Sequence, residues 1–289
     1  MKNFKVALIT EAFGHGFMSL NFAKAYNLQP VAFSVKETEE EFNADVEAIF
    51  QKLSCVGKKL GMRKASWEER DELISTGWNV RQSLIDGKIT PDMWYDFAGS
   101  TLEMDVEGEA PQFKSLWGKD INVFFAPQKL HSDGACGATA QQQSLPLEVY
   151  KFMKLLEVNK ILGQHFHKVN DLEKVQQLAN DFNLYVPGLD EDHEVLGVRG
   201  VPHWKYANLY KQLDLSIGVL GTHTWVMLTC FPNIPQIITC YEGLSEDAVA
   251  LNNAYSRHGK NVFFVSYNEE TLIETLQEDI EMLVEHILF

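Results

Sequence analysis

The opening 35 residues of the chain constrain its fold most. Val6-Ala-Leu-Ile9 is a short, apolar, β-prone run that passes into the glycine-bearing stretch Thr10-Glu-Ala-Phe-Gly-His-Gly-Phe17. From Met18 to Tyr26 apolar residues recur at helical spacing, and Pro30-Val-Ala-Phe-Ser-Val35 is β-prone again. Strand, glycine loop, helix and strand make one βαβ unit. Its right-handed crossover lays the two strands parallel in one sheet, so the expected fold class is layered α/β.

The rest of the chain repeats this alternation. Lys36 to Ile89 is rich in Glu, Lys and Ala, with Phe42, Val46, Ile49, Phe50 and Leu53 at helical spacing, which predicts two or three helices in a helical segment spanning 36–98. Thr90-Pro91-Asp92 combines a capping hydroxyl with a proline suited to a first helical turn. The acidic stretch from Glu103 to Pro111 reads as a surface loop, Ile121 to Ala126 as a third strand, and residues 128–144 as the polar loop that follows it. With Pro146 to Glu157 helical, a boundary falls between a first domain at 1–150 and a second at 155–289. In the second, strands are expected at 160–166, 183–186, 194–198, 215–220, 235–240 and 261–265. Helices are expected at 171–182, 204–213 and 222–231. A terminal amphipathic helix from Glu269 to Leu288 carries Leu272, Leu276, Ile280, Leu283 and Ile287 on one face.

Composition excludes several function classes. The 289 residues, 45% hydrophobic and 22% charged, suit one large or two small globular domains. Twenty-five Lys+Arg against 40 Asp+Glu give a formal net charge of -15, which repels polyanions, so no nucleic-acid partner is expected. The N-terminus reads as a strand and not as a signal peptide, and no run reaches the ~18 apolar residues that a spanning helix needs. Cys55, Cys136, Cys230 and Cys240 are widely spaced with no C-x-x-C pair, which fits reduced thiols and a cytoplasmic location.

The segment from Tyr210 to Glu242 is the most informative for chemistry. A strand ends at Leu220, Gly221 permits a tight turn, and Thr222-His223-Thr224 opens a helix, so backbone N–H groups, hydroxyls and the positive end of the helix dipole converge where a phosphate or diphosphate would bind. The competing reading is that Thr222 caps a buried helix and Gly221 eases packing. Asp214-Leu-Ser-Ile-Gly-Val, then Gly221-Thr222-His223-Thr224, an apolar helix, the strand Ile234-Pro-Gln-Ile-Ile238 and a following acidic residue resemble the nucleotide-sugar-binding half of GT-B-type glycosyltransferases, in particular the heptosyltransferase-like group. The resemblance covers roughly residues 194–245, with Val195 to His203 preceding the helix that ends at Leu213. It departs from that group in having Gly-Thr-His-Thr where Ser-Gly-Pro is usual.

The resemblance implies two Rossmann-like lobes with an interdomain cleft, and a terminal helix that returns to the first domain. A nucleotide-sugar donor would be held by Gly221, Thr222, His223, Thr224, Arg199 and His203, with Lys205 nearby and Glu242 on the ribose hydroxyls. Glycosyl transfer to an unidentified hydroxyl acceptor would need no cofactor and no metal. In the first lobe Gly14 and Gly16 form the corresponding loop at the cleft. His15 is the candidate general base, and Glu11 either orients it or takes the proton itself. Gly14 and Gly16 can equally serve close helix packing. A nucleotide-sugar epimerase and a non-catalytic sugar- or nucleotide-binding protein are the alternatives. Three further motifs read better as structure: Cys136 in Asp133 to Thr139 as a buried thiol and not a nucleophile, Asp190-Glu-Asp192 as an acidic turn, and His165 with His167 as an alternating pair without a third metal ligand.

Overall fold

The computed structural model describes residues 4–10, 13–105, 119–126, 145, 147–162, 172–186, 207–241, 245–268 and 270–289. The chain divides into two compact α/β units.

Unit 1 comprises Met1–Asp105 together with Trp225–Pro232 and Asn253–His258. Its sheet has four parallel strands in the order β3-β2-β1-β4, where β1 is Val6–Ile9, β2 Gln29–Ala32, β3 Arg63–Lys64 and β4 Trp78–Asn79. The helices are α1 (Phe13–Ala25), α2 (Glu39–Gly57), α3 (Arg70–Thr76), α4 (Val80–Ile85) and α5 (Pro91–Gly99). The starts of α2 and α5 are legible in their capping residues. The Thr38 hydroxyl accepts the Glu41 N–H and donates to the Glu41 carboxylate, a reciprocal cap, and Thr90 accepts the Met93 N–H with Pro91 in the first turn. Phe42, Val46, Ile49 and Leu53 form the buried stripe of α2. The core centres on Phe22, whose ring lies 5.0 Å from Phe97, 5.6 Å from Trp94 and, edge-on, 5.7 Å from Trp78. Trp225 stacks on Trp94 at 6.2 Å and completes this aromatic cluster.

Unit 2 holds five parallel strands in the order β6-β5-β7-β8-β9: β5 Asn122–Ala126, β6 Asn159–Leu162, β7 Leu215–Val219, β8 Gln236–Tyr241 and β9 Val262–Tyr267. A 3-10 helix spans Leu147–Lys154, and α6 (Leu172–Phe182), α7 (Ala207–Tyr210), α8 (Thr222–Cys230), α9 (Ser245–Arg257) and α10 (Ile273–Leu288) follow, with α8 from Trp225 and α9 from Asn253 counted in unit 1. Val123, Phe125, Ile217 and Ile237 pack with Tyr150, Met153, Leu276, Ile280 and Val284 in one core. Lys160 is buried, and its Nζ donates to the carbonyls of Met153 (2.8 Å) and Leu156 (3.1 Å), which satisfies the end of the 3-10 helix. Burial pushes the Lys160 ammonium pKa down. At the starts of the strands Asn159 Nδ2 donates to Asn122 Oδ1 at 2.8 Å, and the Asn122 N–H donates to the Asp214 carboxylate at 2.8 Å.

The α/β class and the two parallel sheets agree with the sequence. Several boundaries differ. The strand at 121–126, expected in a first domain of 1–150, is β5 and pairs between β6 and β7, so the division between the units falls at Asp105/Val106 instead. The terminal helix α10 belongs to unit 2, where Leu276, Ile280 and Val284 are buried; the late segments that join unit 1 are Trp225–Pro232 and Asn253–His258. Residues 183–186 supply a single bridge from Tyr185 to Ile161, and not a full strand. Among the described residues no helix is long and apolar enough to cross a membrane.

Candidate functional site

Numbered within unit 2 alone, its strand order is second, first, third, fourth, fifth. The chain therefore leaves β5 toward one side and enters β7 on the other, and a topological switch point lies between the carboxyl ends of β5 and β7. Those ends are Ala126 and Val219, in register one residue apart beside Gly218. In open parallel sheets this crevice is the ordinary ligand position, because backbone diverges there and helix N-termini point into it.

The predicted turn occupies this position. Leu220 still donates its N–H to Thr239 (2.8 Å), Gly221 follows, and α8 begins at Thr222. Thr224 Oγ1 accepts the Gly221 N–H at 2.7 Å and donates to the Gly221 carbonyl at 2.7 Å, so one side chain closes the turn in both directions. Gly221 does not have a positive φ. A Cβ built on it meets only the Val219 carbonyl oxygen at 3.8 Å, an ordinary contact, so the protein itself does not require glycine here.

Two side-chain roles expected at this turn change. His223 is 5% exposed, with its ring 5.9 Å from the Phe124 ring. Thr224 is 1% exposed and its hydroxyl is committed to Gly221. Neither the imidazole nor this hydroxyl is presented to a ligand; what the turn offers is the half-exposed Thr222 and the first-turn N–H groups at the positive end of α8. Gly218, which the sequence reading passed over, explains the buried histidine: a Cβ there would stand 2.6 Å from His223 Nε2 and 3.1 Å from Ala126 Cβ. A glycine inside a strand is the available signal for such close approach. Behind the turn, Tyr150 Oη lies 3.4 Å from Thr239 Oγ1, which in turn donates to the Gly218 carbonyl at 3.4 Å. Burial pushes the Tyr150 phenol up to about 12, so it stays protonated near neutrality.

In unit 1 the order β3-β2-β1-β4 places the corresponding switch point between β1 and β4. Gly14, His15 and Gly16, expected in the loop after β1, lie instead in the first turn of α1. Gly16 faces α2, and a Cβ on it would stand 2.6 Å from Leu53 Cδ1, so this glycine serves helix packing. Gly14 is buried. His15 is half-buried, with Nδ1 inside. Asn79 ends β4 and caps α4 by accepting the Gln82 N–H at 2.9 Å; Arg81, also half-buried, follows it. Sequence reading missed this second arm because β4 is two residues long. A depression of about 540 Å³ lined by Lys24, Asp96, Ser100, Thr101 and Glu103 lies at the opposite end of α1 from His15 and belongs to neither crevice.

Glu11, Arg199, His203, Lys205 and Glu242 lie outside the described residues, as do Cys136, Asp190, Asp192, His165 and His167. Among the described residues no three His, Cys, Asp or Glu side chains group so as to hold a metal ion. No family model, curated protein or solved structure matches the chain.

Proposed function

We propose that the chain is a cytoplasmic glycosyltransferase of the GT-B kind, which moves a sugar from a nucleotide-sugar donor to a hydroxyl acceptor without an obligatory metal. The observation that carries this reading is the β7–Gly221–α8 corner: a bare glycine that the fold does not itself demand, at the carboxyl end of a central parallel strand, followed by the N-terminus of a nine-residue helix. Such a corner suits a diphosphate. The backbone can approach the phosphate oxygens closely, and the positive end of the helix dipole stabilises negative charge that grows as the leaving group departs.

In the proposed step the acceptor O–H gives its proton to His15 or to Glu11. The acceptor oxygen bonds to the anomeric carbon, and the bond from that carbon to the diphosphate oxygen breaks, its electron pair leaving with the nucleoside diphosphate. Arg199, His203 and Glu242 are assigned to the donor on the sequence resemblance, with Arg199 and His203 toward phosphate or base and Glu242 toward the ribose.

The test is incubation of the purified chain with a panel of nucleotide sugars and hydroxyl acceptors, followed by product analysis. Acceptor-dependent release of a nucleoside diphosphate with a glycosylated product is expected. A free nucleotide sugar of altered stereochemistry would identify an epimerase, and binding without turnover on any acceptor would identify a binding protein; either would displace this reading.

A further inference from the structure

We propose that the sheet of unit 2 binds an internal water molecule between the side chains of Gln236 and Ser216, on the face turned away from its main core. The observation that carries this is a buried amide without a protein partner. Gln236 is 1% exposed, and neither its Nε2 nor its Oε1 has a hydrogen-bond partner in the protein. A primary amide brings two N–H donors and a carbonyl oxygen with two lone pairs. Water serves all of them in the unfolded chain, so a fold that left them bare would forfeit every one of those bonds.

The strand fixes which way this side chain goes. Side chains alternate along β8, and Ile237 belongs to the main core, so Gln236 lies on the other face. There it stands between Ser216 of β7 and Val262 of β9, and beyond Ser216 the same row continues to Phe124 of β5. β8 is thus an interior strand, and the Gln236 N–H is given to the Asn261 carbonyl at 2.8 Å. A backbone held on both sides cannot slip to bring the amide to bulk solvent.

The row also selects the ligand. Phe124, Ser216, Gln236 and Val262 are all uncharged, which favours a neutral molecule over an ion, since a buried ion needs an opposite charge. Ser216 is 2% exposed, and its hydroxyl can donate or accept. Glutamine outreaches serine by about the length of one hydrogen bond, so a molecule resting on Ser216 Oγ stands level with the Gln236 amide. Water is small, neutral, and both donates and accepts. An internal water makes about three hydrogen bonds, and Ser216 Oγ, Gln236 Nε2 and Gln236 Oε1 supply that number.

The experiment is nuclear magnetic resonance on the full chain labelled with nitrogen-15 in glutamine, with the Gln236 side-chain signals assigned through bonds from its backbone. Cross-peaks from water to the Gln236 amide protons are expected. They should have opposite signs in laboratory-frame and rotating-frame experiments, the mark of a water held far longer than one at the surface. Oxygen-17 relaxation dispersion of the solvent, which does not see hydroxyl protons, should show about one long-lived water fewer in Gln236→Met than in wild type. Absence of the cross-peaks in wild type overturns the proposal without reference to any variant. So do cross-peaks of equal sign, or equal oxygen-17 dispersion in wild type and a folded Gln236→Met chain.

Discussion

Thr224 and Gly221 hold each other in both directions: the threonine hydroxyl accepts the glycine N–H and donates to the glycine carbonyl, each at 2.7 Å. The consequence is a turn whose shape is held by its own residues. Thr224→Val keeps the volume and removes the hydroxyl, leaving the Gly221 N–H and carbonyl without this partner. The expected cost is about 1 kcal/mol in urea unfolding, with Thr224→Ser close to wild type. A Thr224→Val chain as stable as wild type would show that the reciprocal bond contributes nothing.

Gly16 gives a test of packing against function at the start of α1. A methyl added at this glycine would stand 2.6 Å from Leu53 Cδ1, and Leu53 is only 2% exposed, so its side chain has little room to yield. Gly16→Ala is expected to cost roughly 1–3 kcal/mol, and Leu53→Ala in the same chain should recover part of that loss by opening space. Strict additivity of the two losses would contradict the proposed contact.

His15 is half-buried one residue before Gly16. If it takes the acceptor proton, His15→Ala lowers turnover by about 100-fold or more while nucleoside-diphosphate affinity, which the proposed function assigns to unit 2, is unchanged. Equal turnover in the two chains would reduce Gly14-His15-Gly16 to packing.

Two thiols make stability fall at high pH. Burial pushes Cys55 and Cys230 up to about 12 from 9.0, so between these values the unfolded chain loses protons that the folded chain keeps. Stability from these groups is complete below about pH 9 and is lost as pH rises toward 12. Lys160 and Lys260, pushed down by burial, act in the opposite sense, so the comparison is between wild type and the double variant Cys55→Ala/Cys230→Ala. From about pH 8 to about pH 11 the thermal midpoint should fall more steeply in wild type. Parallel profiles would refute the assignment.

The legible parts of the fold are those where a local signal and the tertiary arrangement agree. β1, β7, α5 and α8 announce themselves through apolar runs, Thr90-Pro91 and Gly221-Thr222. What escaped was set by non-local pairing. Asn122 to Ala126 reads as a strand, but nothing local says that Val123 pairs with Leu215 and not with a strand of unit 1. β3 and β4 are too short for periodicity to register, and without β4 the Asn79–Arg81 arm of the second crevice is invisible. At the candidate site the sequence locates the turn but not the direction of its side chains: His223 and Thr224 look ligand-facing until Gly218 and Gly221 are seen to take them inward.

The most direct test of the central claim is calorimetric binding of nucleoside diphosphates to wild type and to Gly221→Val. Because a Cβ at this glycine meets only the Val219 carbonyl at 3.8 Å, and its φ is not positive, the branched side chain should leave the fold intact while obstructing close approach. The account predicts that wild type binds at least one nucleoside diphosphate, gaining about 2.7 kcal/mol of stability at about 100 times its dissociation constant, and that a folded Gly221→Val chain loses this binding. Unaltered affinity in Gly221→Val, or no binding of any nucleoside diphosphate by wild type, would contradict it.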